Sequence, residues 1–175
     1  MKKYEGHMSK EKKEGFGILY DENKHKIYEG DWKDDKRDGF GKSFYTTSSL
    51  MYIGYWRNDK YEGRGDEYHY NGSRKFSGYW KNNTKEGIGL TFYNNGTKRF
   101  QGMTKKSYFN NLLNDFVTIF TNRGTKIFEG YFKEGRKNGS GILFSSDFQK
   151  VVYRGGWNLD MKDGYGVLYY ENGNK

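Results

Sequence analysis

Tyr28-Glu29-Gly30-Asp31-Trp32-Lys33-Asp34-Asp35-Lys36-Arg37-Asp38-Gly39-Phe40-Gly41-Lys42-Ser43-Phe44 holds every part of a pattern that recurs down this chain of 175 residues. An aromatic-x-Gly opening is followed by a second aromatic, a polar run, a Gly-x-Gly pair and a trailing aromatic. Outward from this copy, the opening returns at Tyr4-Glu5-Gly6, Tyr52-Ile53-Gly54, Phe76-Ser77-Gly78, Phe128-Glu129-Gly130 and Tyr153-Arg154-Gly155. The glycine pair returns at Gly15 and Gly17, Gly63 and Gly65, Gly87 and Gly89, Gly139 and Gly141, and Gly164 and Gly166. The first four copies are spaced by 24 residues. A fixed period of this length means stacked units that bury their apolar faces against their neighbours, so function belongs to an extended surface.

Composition alone points elsewhere. Leu, Ile, Val and Phe make up about 18% of the chain and the net charge is +9, values typical of disorder. The aromatics reverse that reading: they are 19% of the residues and sit in register with the repeat, so large rings supply the burial. No cysteine is present, which excludes disulfides and thiolate metal sites. Met1-Lys2-Lys3 leads into Tyr4-Glu5-Gly6 without an apolar run, so neither a signal peptide nor a membrane span is expected, and a cytoplasmic location is.

With the opening aromatic as position zero, the polar run lies between positions five and ten and suits the loop of a β-hairpin. Pairing those two positions would set Lys33 opposite Asp38, Arg57 opposite Glu62 and Lys81 opposite Glu86, each pair worth about 0.2–1 kcal/mol. The same register places the glycine of position eleven beside the aromatic of position four, and the glycine of position thirteen beside that of position two. Trp32, Trp56, Trp80 and Trp157 are then expected to lie flat over a bare glycine patch. Strict alternation puts the position-sixteen aromatics, such as Tyr20 and Phe44, on the face opposite the tryptophans unless a bulge changes the parity. Asn-Gly turns at Tyr70-Asn71-Gly72-Ser73 and Tyr93-Asn94-Asn95-Gly96-Thr97 return the chain to the next unit.

These motifs closely resemble the MORN (membrane occupation and recognition nexus) repeat, Tyr-x-Gly-x-Trp, a polar loop, Gly-x-Gly and an aromatic. The resemblance covers essentially the whole chain. It implies an all-β, elongated single-layer array of stacked antiparallel hairpins, with seven units at about 4–27, 28–51, 52–75, 76–99, 100–127, 128–152 and 153–175. Met8 stands where Trp is expected in the first unit. The fifth unit has Asp115-Phe116-Val117 in place of Gly-x-Gly, after an irregular stretch from Lys105 to Asn114. The end at Glu171-Asn172-Gly173-Asn174-Lys175 suggests fraying, capping by a partner or a homodimer contact.

For function, His7, His25 and His69 occupy unrelated repeat positions, no carboxylate cluster recurs, and the glycine pairs lack the third glycine of a dinucleotide loop. No catalytic residue, metal ligand or cofactor is therefore expected. Two surfaces are candidates. Tyr28, Trp32, Tyr52, Trp56, Phe76 and Trp80 would form an aromatic groove for a protein partner, a helix or another array. Lys26, Arg74, Lys75, Lys98, Arg99 and Lys126 would form a basic turn row for an acidic protein or acidic phospholipid such as a phosphoinositide. Nucleic acid is disfavoured because Asp and Glu interleave the basic residues. The expected function is a non-catalytic scaffold, organising an assembly of the cytoskeleton or of the cytoplasmic face of a membrane, as the resemblance implies.

Overall fold

The computed structural model describes residues 3–103, 115–147, 149–170 and 174. Seven hairpins follow in order: β1 (Lys3–Ser9) with β2 (Lys12–Tyr20), β3 (Lys26–Lys33) with β4 (Lys36–Phe44), and β5 (Leu50–Arg57) with β6 (Lys60–Tyr68). Then come β7 (Arg74–Lys81) and β8 (Thr84–Phe92), β9 (Lys98–Met103) and β10 (Asp115–Phe120), β11 (Lys126–Lys133) and β12 (Arg136–Phe144), and β13 (Val151–Asn158) and β14 (Met161–Leu168). All belong to one open antiparallel sheet in chain order, as the repeat pattern predicts. By internal packing the chain divides into two compact units, Met1–Glu86 and Gly87–Lys175.

The second and third hairpins close more tightly than the polar run suggests. Asp34 and Asp35 both take left-handed φ values, 47° and 69°, which makes a two-residue type I′ turn and sets Lys33 opposite Lys36. The same turn sets Arg57 opposite Lys60. The expected pairs Lys33–Asp38 and Arg57–Glu62 are therefore not formed. The expectation failed because the polar run is mostly strand. In it, a bulge at Asp38-Gly39-Phe40 absorbs two extra residues between the pairs Trp32–Arg37 and Gly30–Gly41. Gly39 takes φ 111° in that bulge, and its counterpart Gly63 takes 64°, a region that a side chain resists. Gly39 pairs with Trp56 of the following hairpin, not with its own Trp32.

The glycines at positions two and thirteen do face each other, as Gly30 faces Gly41. The ring covering them is the opening tyrosine, not the tryptophan. A Cβ on Gly41 would lie 2.2 Å from the Tyr28 hydroxyl oxygen, and one on Gly65 would meet Tyr52 at the same distance. The Tyr28 hydroxyl donates to the carbonyl of Asp31 at 3.0 Å, and that of Tyr52 to Tyr55 at 3.1 Å. The tryptophan reaches back one hairpin: Trp32, Trp56 and Trp80 donate their indole N–H to the carbonyls of Gly17, Gly41 and Gly65 at 3.1–3.2 Å.

Edge-to-face contacts join these rings into one core in the first unit, with Tyr28 lying 5.1 Å from Trp32 and 5.4 Å from Trp56, and Tyr52 lying 5.3 Å from Trp56 and 5.6 Å from Trp80. Met8 in the first hairpin is exposed, and Trp32 of the next packs on Tyr4 instead. The second unit has its own core of Phe128, Tyr153, Trp157 and Val117. Val117 occupies the glycine column of the irregular fifth hairpin, opposite Gly130, and fills space there as a buried side chain.

Position sixteen obeys strict alternation. Tyr20 donates to Glu5 at 3.1 Å, and Lys26 sits 5.6 Å above the Phe44 ring, both on the face opposite the tryptophans. The bulge that follows these aromatics lies in the next strand and leaves Met51 unpaired between Leu50 and Tyr52.

Candidate interaction surfaces

The six residues expected to form the aromatic groove are the core of the first unit. Tyr28, Tyr52 and Phe76 are at most 1% exposed, and Trp32, Trp56 and Trp80 at most 6%. With no second layer among the described residues, burial comes from two sources within the sheet. The rings lie on glycine, and long side chains at position nine close over them. Arg37 stands 4.1 Å over the Trp56 ring and is fixed by Asp59, Nε to Oδ1 2.8 Å. Tyr61 stacks on Tyr52 at 3.7 Å, and Lys85 lies 4.7 Å over Phe76. Burial pushes the Tyr28, Tyr52 and Tyr61 hydroxyls above their ordinary range, so all three remain neutral donors at physiological pH. A recess of about 500 Å³ opens on this face in the first two hairpins, where Leu19, Ile27, Lys13, Arg37, Asp35 and Asp59 surround the edges of Tyr4, Tyr28 and Trp32.

The basic turn row is divided between the two faces and is largely neutralised. Lys26 pairs with Glu29 at 2.6 Å, Lys126 with Glu129, and Arg74 with Asp66 at 3.4 Å. The bulge turns Lys75 to the core face, where it meets Glu67 at 2.6 Å, with Lys85 2.8 Å from the other oxygen of that carboxylate. Burial tends to raise the Glu67 carboxyl, but the two lysines together outweigh it and hold the group below its usual range. Arg99 lies 5.6 Å over the Tyr93 ring, and Lys98 is exposed. The irregular stretch from Lys105 to Asn114 and most of the C-terminal residues named above, 171–173 and 175, lie outside the described residues.

A column of accessible aromatics lies on the outer face. Phe40 and Tyr55 form a cross-strand edge-to-face pair at 5.6 Å and are 45% and 53% exposed, and Tyr79 is 55% exposed. Phe16 belongs to the same column, and Phe116 with Tyr131 repeats the pair at 5.3 Å in the second unit. These residues occupy position three and the middle of Gly-x-Gly. The pattern of period two carried them in plain view, since their neighbours on both sides are the inward residues of the motif.

A second arrangement also escapes a reading of single hairpins. In four hairpins the second turn residue clasps the hairpin before it. Asp59 donates its N–H to the Arg37 carbonyl at 3.0 Å, while its carboxylate accepts from the Arg37 N–H at 3.1 Å. Asp35 does the same to Lys13, Asn83 to Tyr61, and Asp160 to Lys137. The position-ten carboxylates add a second stitch: Glu14, Asp38 and Glu62 accept the N–H of Asp34, Asn58 and Asn82. Glu14, Asp35, Asp38, Asp59 and Glu62 thus each accept a backbone amide, while Asp34 meets Lys12 instead. Among the described residues, no group of three or more His, Asp or Glu is placed to hold a metal ion.

A family model described as MORN repeat matches residues 4–26, 28–49, 52–74, 76–98, 128–148 and 153–175. The chain belongs to the MORN repeat family. The fifth hairpin, with Val117 for glycine, is outside the matched segments. MORN repeats are common in membrane- and cytoskeleton-related proteins and mediate interaction. A search of curated proteins finds no match to this chain.

Proposed function

We propose that this protein is a non-catalytic scaffold of the cytoplasm that binds a protein partner and helps to organise a cytoskeletal or membrane-adjacent assembly. The observation that carries this reading is the unequal use of the two sheet faces. The inward rings are consumed as core, whereas Phe40, Tyr55 and Tyr79 remain about half exposed on a face that no layer of the described residues covers. Rigid aromatics of this kind lose little entropy when covered and dominate protein interfaces. The carboxylates that could have served an active site instead accept backbone amides in the turns. Binding of acidic phospholipid through the basic turn row has weaker support, because Lys26, Arg74, Lys75 and Lys126 each have a carboxylate beside them.

A photo-reactive phenylalanine at Tyr79 tests the reading in cells. A discrete protein adduct is expected there, and none from the same probe at Thr47 on an exposed connection. Adducts at Thr47 alone, or none at either position, would overturn it.

A further inference from the structure

Beside the type I′ turns, cations face cations. Lys33 is paired with Lys36, Arg57 with Lys60, and Lys133 with Arg136 across their hairpins. All six are exposed, and none forms an ion pair among the described residues. Like charges directly opposite each other oppose folding. The turn does not require them, since Ser9 faces Lys12 and Asn158 faces Met161 beside turns of the same φ values. Folding therefore leaves these rungs without a purpose.

They adjoin the exposed rings. Lys33, Lys36, Tyr55 and Arg57 line one groove of about 660 Å³ on the first unit. Its carboxylates Asp38 and Glu62 are turned to the amides of Asn58 and Asn82 at 3.1 and 3.0 Å, and Asp34 is held by Lys12 at 2.9 Å. The groove carries three cations and three carboxylates. The cations that face each other across the rungs, however, have no ion-pair partner among the described residues and stand beside the exposed Tyr55 ring. An occupant that brings carboxylates to the rungs and apolar surface to the ring would relieve the first and cover the second. Successive rungs are separated by two strands, roughly 10 Å, and seven residues of α-helix rise about 10.5 Å.

Resting on the scaffold reading above, we propose that the outer face of the second and third hairpins docks an acidic amphipathic helix of the partner. Carboxylates at heptad spacing meet the rungs Lys33/Lys36 and Arg57/Lys60, and apolar residues beside them cover Phe40 and Tyr55.

The test uses the full chain and two fluorescent, stapled helical peptides of equal composition. One carries Glu at heptad spacing with Leu beside it, and the other has the same residues shuffled. The heptad peptide is expected to bind at least about tenfold more tightly. The double variant Lys36→Glu with Lys60→Glu should weaken it by about tenfold or more while its melting temperature holds or rises, because each rung becomes an ion pair. The uncharged pair Lys36→Gln with Lys60→Gln should fall between, and Lys26→Glu should bind as the parent does. Equal affinity for the two peptides, or unchanged binding by the charge-reversed variant, would overturn the proposal. So would rung-dependent binding of phosphatidylserine vesicles with neither peptide bound, which would assign the face to lipid. A protein adduct at Tyr79 in that case would leave the scaffold reading standing while the helix fails, whereas absence of both would remove the two together.

Discussion

Tyr28 and Gly41 occupy one space: the tyrosine ring lies where a side chain on Gly41 would go, with its hydroxyl oxygen 2.2 Å from the position of a Cβ. Gly41 has no left-handed φ, so its identity is set by this contact and not by backbone conformation. Gly96, by contrast, has φ 83° and open space around it. Gly41→Ala should therefore destabilise the first unit by about 2–3 kcal/mol or more through overpacking. Gly96→Ala should cost only about 1 kcal/mol of backbone strain. Urea unfolding of the two variants checks the difference.

The clasp between Asp59 and Arg37 gives a second expectation. Asp59→Ala removes an acceptor for the Arg37 amide and guanidinium and should cost about 1–2 kcal/mol. Asp59→Asn should cost clearly less, because Asn83 performs the same role one hairpin later. Thermal unfolding of both variants, side by side, tests whether the side-chain acceptor is what matters.

The hairpin array, its order and the paired glycines at positions two and thirteen were legible because each follows from a repeated residue type at a fixed offset. Three features were not. The pairing of Lys33 with Lys36 depends on left-handed φ at Asp34 and Asp35, and Asp-Asp is a weaker signal for that turn than Asn-Gly. The choice of Tyr28 over Trp32 as the ring above glycine depends on which way each side chain leans along the strand, which spacing does not encode. The burial of the expected groove depends on Arg37, Tyr61 and Lys85, whose residue types look like solvated loop until they are seen lying over the rings. The outer column of Phe40, Tyr55 and Tyr79 was readable from alternation once the inward face had been fixed.

Glu67 couples stability to pH. Its carboxyl is held below the ordinary glutamate value of 4.5, so the folded state binds fewer protons there than the unfolded state. The stabilisation is complete above that ordinary value and is lost as pH falls from it through the lower folded value. Glu67→Gln should flatten this part of the stability curve and should leave Lys75 and Lys85 without their shared partner. Denaturant midpoints measured from neutral pH down through the glutamate range report both effects.

The claim that one face is core and the other is for binding is tested most directly by two neighbouring tyrosines. Tyr52 is fully buried and Tyr55 is 53% exposed, three residues along the same strand. Melting and partner retention should be measured together for Tyr52→Ala and for Tyr55→Ala with Tyr79→Ala. Tyr52→Ala is expected to lose about 3–5 kcal/mol of stability. The Tyr55 and Tyr79 double variant should melt close to the parent and release the partner cross-linked at the outer face. A double variant that keeps the partner, or that is destabilised as much as Tyr52→Ala, would contradict the account.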